Sequence, residues 1–316
     1  MAALRGRTGS VVGSMRIVSL LPSATEILYA LGLAADIVGV THECDFPPEA
    51  AKKPVLIKPR VDPHARQAEL DRQVRELVSR GESIYAVDAD LLESLKPDLI
   101  LTQDLCHVCA ASPDDLATAL TRFQNPPRVL TLTPHSLDDV WRDIERVGDA
   151  TGAKSKADTL VANLKCRITL VESVVARPGR RPRVLCLEWL DPFYVAGHWV
   201  PEMVGRAGGE DVLGRQGESS FKVTSEEIAA TNAEIIIVML CGYDAARNAA
   251  EFRAVQLPDS WQKLPACRDQ RIFAIDANSC SSRPGPRLAD GLELFARLFH
   301  PDLFSEKLLS GAYLKP

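Results

Sequence analysis

The sequence predicts an α/β protein of two Rossmann-like lobes, each built on a mainly parallel sheet, bridged by a long α-helix with a ligand cleft between the lobes. Three observations carry this expectation. Short, β-rich apolar runs alternate with helix-like stretches along both halves of the chain, the pattern of βαβ units. Residues 137–176 contain no proline and repeat apolar residues at helical spacing, over far more than the ~11–12 residues of a mean helix. The 316 residues also exceed one ordinary core, since a domain usually takes ~100–200. The expected divisions are a tail at 1–14, an N-terminal lobe at 15–136, the connecting helix at 137–176 and a C-terminal lobe at 177–316.

In the first lobe the expected strands are Arg16 to Leu20, Ile37 to Val40, Leu99 to Thr102 and Val129 to Leu132. A helix from Ser23 to Leu31 opens with Ser23 three residues before Glu26, a capping-box spacing, and Gly32 ends it. Ala68 to Arg80 and Pro113 to Gln124 are further amphipathic segments. In the connecting segment, Val140, Ile144 and Val147, then Leu160, Leu164, Ile168, Val171 and Val175, mark the apolar stripe, with Gly152 as a break. The second lobe repeats the plan with strands at Val184 to Glu188, Ile235 to Leu240 and Arg271 to Ile275. Gly214 to Ser220 follows no apolar run and reads as a loop.

Apolar residues at 46% and charged residues at 25% exclude the disordered, collagen-like and coiled-coil classes. A net charge of −5 argues against nucleic acid, which selects for a basic stripe. No run of ~18 apolar residues is present to span a membrane. Residues 1–14 carry Arg5 and Arg7 but no apolar stretch of the ~7–15 residues a secretory signal needs. A cytoplasmic, monomeric protein is therefore expected. Eight scattered cysteines do not make a small disulfide scaffold and read as reduced thiols.

In open parallel sheets ligands sit beyond the carboxyl ends of the strands, so the residues that follow each strand are the candidates. They are Ser23 and Thr25; His42, Glu43 and Cys44; Cys106 and Cys109; Trp189, Asp191, His198 and Trp199; Cys241 and Tyr243; Cys280 and Arg283. Trp189 and Trp199 offer flat apolar walls to a planar ligand. Cys106 and Cys109 have the spacing that lets two sulfurs reach one ion, but two thiolates do not complete a four-ligand zinc site. Cys166, Cys186 and Cys267 read as core or incidental positions. His64, His135 and His300 read as solvated or capping residues. No phosphate-binding glycine loop, nucleophile elbow or paired-carboxylate motif is present, so no catalytic residue is assigned.

The stretch Arg16 to Pro47, with "LLESLKPDLILTQ" and "SSRPGPRLADGLELFARL" (Ser281 to Leu298), resembles the helical-backbone periplasmic-binding superfamily of the cobalamin and iron–siderophore type. "QDLCHVCA", "LEWLDPFYVAGHWVPEMVGRAGG" and "MLCGYD" are most similar to its branch of cobalamin-binding proteins without a signal peptide. The resemblance spans Met15 to Phe299. It implies a corrinoid held between two lobes, with Trp189, Trp199 and Tyr243 against its faces. His198 would approach the cobalt or donate to a peripheral amide, and Arg283 would anchor an amide or phosphate edge. In transport members one surface carboxylate per lobe docks on a membrane permease. The matching positions are Glu93 and Glu226 or Glu227, which also read as ordinary helix-surface acids.

Two functions follow as expectations. The first is a corrinoid-binding protein for intracellular capture or delivery, with an ABC permease or a corrinoid-using enzyme as its partner. The second is a metal-binding or redox protein, in which Cys44, Cys106, Cys109, Cys241 and Cys280, with His42, hold zinc or an iron–sulfur cluster.

Overall fold

The computed structural model describes residues 15–63, 65–104, 113–176, 179–304 and 313–316; the expected tail, 1–14, lies outside them. The N-terminal sheet is built from β1 (Ile17–Ser19), β2 (Ile37–Thr41), β3 (Val55–Pro59), β4 (Tyr85–Val87), β5 (Leu99–Gln103) and β6 (Arg128–Leu132), in the order β4-β3-β2-β1-β5-β6. All neighbours are parallel except β3 and β4. The helices between them are α1 (Pro22–Ala30), α2 (Gln67–Ser79), α3 (Ala89–Leu95) and α4 (Pro113–Leu120). The chain winds outward from β1 to β4 and then crosses back to β5, so the direction reverses between β1 and β5, where such sheets open a crevice.

The C-terminal sheet places β7 (Arg183–Leu190), β11 (Ile235–Val238) and β12 (Ile272–Ile275) side by side and parallel. Antiparallel β8 (Phe193–Val195) and β10 (Phe221–Lys222) extend one edge, β13 (Tyr313–Leu314) extends the other, and β9 (Glu210–Asp211) pairs with β7. Its helices are α7 (Val200–Arg206), α8 (Ser225–Ala230), α9 (Ala245–Ala254), α10 (Pro265–Arg268), α11 (Ala277–Cys280) and α12 (Leu288–Phe299).

The connecting segment is not one helix. It is α5 (Leu137–Thr151), opened by a capping box between Ser136 and Asp139, and α6 (Lys154–Val175). Gly152 stops α5 in a left-handed turn, φ 74°, a conformation that costs glycine nothing. The apolar stripe is continuous across the break because both helices bury it in the same core.

Alternate residues of the central strands face opposite ways. Ile17, Val184, Cys186, Ile235 and Ile237 point into a core shared with α5, α6, α7 and α12. Val18 and Ile100 enter a second core on the outer face of the first lobe, and Leu185, Leu187, Ile236 and Val238 a third on the outer face of the second. Burial on both faces is why these strands read as unbroken apolar runs. The shared core contains residues of both sheets, so the lobes are joined by packed side chains as well as by chain connectivity.

Candidate functional site

The loops at the carboxyl ends of the two sheets face each other and touch at three places. At the first, the Arg247 guanidinium lies over the Tyr243 ring, 3.7 Å from its centre, and donates to the Pro63 and Ala65 carbonyls. Beside it, Gln67 accepts from the Leu190 amide at 3.0 Å and donates to Glu251. At the second, buried Glu26 of α1 receives Arg287 and, at 3.4 Å, Arg283, while Arg283 also binds Asp45 at 2.5 Å and the Glu43 carbonyl. At the third, the rings of His135, after β6, and His198, after β8, have centres 5.6 Å apart. Nearby, Glu202 of α7 accepts from the Leu137 amide at the start of α5.

His198 is held tightly. Its backbone is left-handed, φ 52°, an uncommon state for a residue with a Cβ. Its amide donates to the Glu218 carbonyl at 2.6 Å, and its carbonyl accepts from the Gly217 amide. A Cβ at Gly197 would lie 2.4 Å from the Glu218 carbonyl oxygen, so only glycine lets this loop dock on 218–220. The imidazole stacks on Trp199, whose indole donates to the Ser281 carbonyl at 2.7 Å. His198 Nδ1 is buried without a hydrogen-bond partner among the described residues. Burial, and then the neighbouring His135, push its pKa below the ordinary histidine value.

Other candidates take different positions. Half-buried Trp189 packs against Tyr243, ring centres 5.9 Å apart, and donates to the carbonyl of exposed Asp191. Tyr243 is buried, and burial raises its pKa. Thr25 is fully buried, its hydroxyl bonded to Ser19 and to the Cys44 sulfur, and Ser23 is buried near Gly285. The His42 ring bonds the Ile57 carbonyl. Glu93 and Glu226 are exposed, whereas the Glu227 carboxylate is engaged in the α8 capping box with Thr224.

Among the described residues the cysteine cluster does not assemble. Cys44 and Cys280 are buried, Cys241 is exposed, and among the described residues no three of His, Cys, Asp and Glu come close enough to hold an ion. Metal ligation needs thiolates, and burial disfavours them. It raises the Cys44 pKa and pushes that of Cys280 up to about 12, with help from Asp276 and Asp290. Zinc and iron–sulfur ligation therefore find no support here; Cys106 and Cys109 lie outside the described residues. Sequence reasoning overlooked Arg247, Arg287 and Gln67 and read His135 as solvated or capping. His135 carried a usable signal, since it follows β6 as the other candidates follow their strands. His300, expected to be solvated or capping, is the C-cap of α12 and is half-buried with its ring against the Gly208 carbonyl at 3.2 Å.

The family described as "Periplasmic binding protein" matches residues 17–279. The chain is 26% identical to the ABC transporter substrate-binding lipoprotein YvrC of Bacillus subtilis (strain 168), over 92% of this chain and 82% of that protein. It is 21% identical to the vitamin B12-binding protein of Vibrio parahaemolyticus, over 88% and 86%. Its fold superposes on the periplasmic heme-binding protein RhuT of Roseiflexus sp. RS-1 with a TM-score of 0.69, at 25% identity, covering 92% of this chain and all of that one. Relatives described as a lipoprotein and as periplasmic overturn the cytoplasmic placement. That expectation rested on the composition of residues 1–14, on the lack of a long apolar run and on the resemblance to a branch without a signal peptide.

Proposed function

The chain belongs to the periplasmic binding protein family, and from that membership we propose that it binds a corrinoid between its lobes and hands it to a membrane permease. The observation that carries this reading is the wall at the third contact: a half-buried imidazole with a bare Nδ1, backed by Trp199 and fixed by its own backbone. Apolar walls with a few fixed polar groups make a small-molecule pocket. Trp189 and Tyr243 supply a second aromatic pair. Neutral imidazole is a good ligand for a cobalt centre, and burial keeps His198 in that form. Kinship with a vitamin B12-binding protein supports the ligand, and kinship with an ABC transporter substrate-binding lipoprotein supports the permease. Exposed Glu93 and Glu226 are the docking carboxylates of this reading, one per lobe. Arg283 serves as a lobe-to-lobe tie, because its guanidinium is already taken by Glu26 and Asp45.

A second reading, an iron porphyrin, is favoured by the superposition on a heme-binding protein, since imidazole also ligates iron. Ultraviolet–visible titration of the reduced protein with hydroxocobalamin and, separately, with hemin decides between them. The corrinoid reading expects a saturable shift of the cobalamin bands that disappears in His198→Ala. A flat cobalamin titration beside a saturable hemin shift overturns it.

A further inference from the structure

We propose that His135 and His198 form an open binding site for a first-row divalent metal ion, one imidazole from each lobe. The site takes the same His198 Nδ1 that the corrinoid reading assigns to cobalt, so ion and corrinoid compete for it, and it stands apart from the cysteine cluster. Two imidazoles on one tetrahedral ion, with nitrogen–metal bonds of about 2.0–2.1 Å, place their ring centres about 5 Å apart, and a linear pair about 6 Å apart. The observed separation is 5.6 Å, with the planes inclined at 49°. Stacking, which could also bring two rings together, prefers parallel planes at an offset or an edge-to-face contact.

Both rings are free to ligate. His198 Nδ1 is buried without a partner, a costly state for a polar atom, and a metal ion would satisfy it. The ring of exposed His135 has no hydrogen bond among the described residues; only its backbone amide is engaged, with Asp139.

The donor set selects the ion. Imidazole nitrogen suits nickel, copper, zinc and cobalt, whereas magnesium and calcium want oxygen. No third His, Cys, Asp or Glu joins the pair among the described residues, so coordination positions remain for water or for donors on a bound small molecule. The ion would tie the loop after β6 to the loop after β8 and turn the ring contact at the third place into a bond between the lobes.

Metal-stripped full-length protein titrated with Ni2+ by calorimetry tests this. One equivalent should bind, raise the thermal midpoint and be released by chelator. Both His135→Gln and His198→Asn should weaken binding at least tenfold while the metal-free midpoint stays near that of the parent; asparagine tolerates the left-handed backbone. Cu2+ should quench Trp199 fluorescence, and a Trp199→Phe variant should lose that part of the quenching. Absence of Ni2+ binding, or binding that persists in both variants, overturns the proposal.

Discussion

Glu26 stands at a capping-box spacing from Ser23, and its sequence neighbours give it a local role. In the fold α1 begins at Pro22 without a side-chain cap, and the carboxylate turns instead to Arg283 and Arg287. A partner 257 positions away leaves no local pattern, so the sequence suggested a cap that does not form and hid the bond that does. His135 shows the opposite case: its strand-end position was available in the sequence, but its facing partner became visible only in the fold. Asp211 has no sequence signature at all. Its Oδ1 accepts from the Leu213 and Gly214 amides, and its Oδ2 is buried and bare. Burial raises its pKa to about 6, from about 3.9 in an open chain. A raised carboxyl contributes its stability fully below the open-chain value and loses it as pH rises through about 6. Asp211→Asn keeps the Oδ1 acceptor and removes the charge. It should stabilise the protein by about 1–3 kcal/mol at pH 7 and have little effect near pH 4. Urea unfolding at the two pH values checks this; an equal effect at both would refute it.

At the scale of elements, strands buried on both faces were the easiest to read, because both residue sets are apolar: β1, β2, β5, β7, β11 and β12 lie where the apolar runs lie, as does edge strand β6 with its one buried face. The strands β3, β4, β8, β9, β10 and β13 escaped; all but five-residue β3 are two or three residues long, and each is only partly buried. Their pairing is decided by neighbours rather than by composition. The crossing of α11 and α12 was equally hidden. A Cβ at Gly291 would lie 1.7 Å from the Cys280 carbonyl oxygen, so the backbone itself would have to move. Alanine in a helix ordinarily gains up to ~1 kcal/mol over glycine. Here the overlap wins, and Gly291→Ala should destabilise by about 3 kcal/mol or more. A thermal midpoint at or above that of the parent would count against this packing.

For the whole molecule, the shared core beneath α5, α6 and α12 and the three contacts between loops act together. The lobes therefore stand or fall as a unit more than a chain with a free linker would. The Glu26 network is a buried charged tie, with Glu26 3%, Arg283 10% and Arg287 15% exposed. Glu26→Gln leaves two buried guanidinium groups without their shared anion and should cost about 3 kcal/mol, read as an earlier urea midpoint of a single transition. An unchanged midpoint would mean that the network contributes nothing net. The same tight packing governs the chemistry of the sulfurs. Cys44, Cys186 and Cys280 are buried with their thiols held protonated, while Cys166 and Cys241 face solvent. An alkylating reagent therefore meets Cys166 and Cys241 at once and the buried three only after their surroundings open. The order in which those three are labelled reports which part of the fold loosens first: the Cys44 loop beside Asp45, the central strand around Cys186, or the α11–α12 crossing at Cys280.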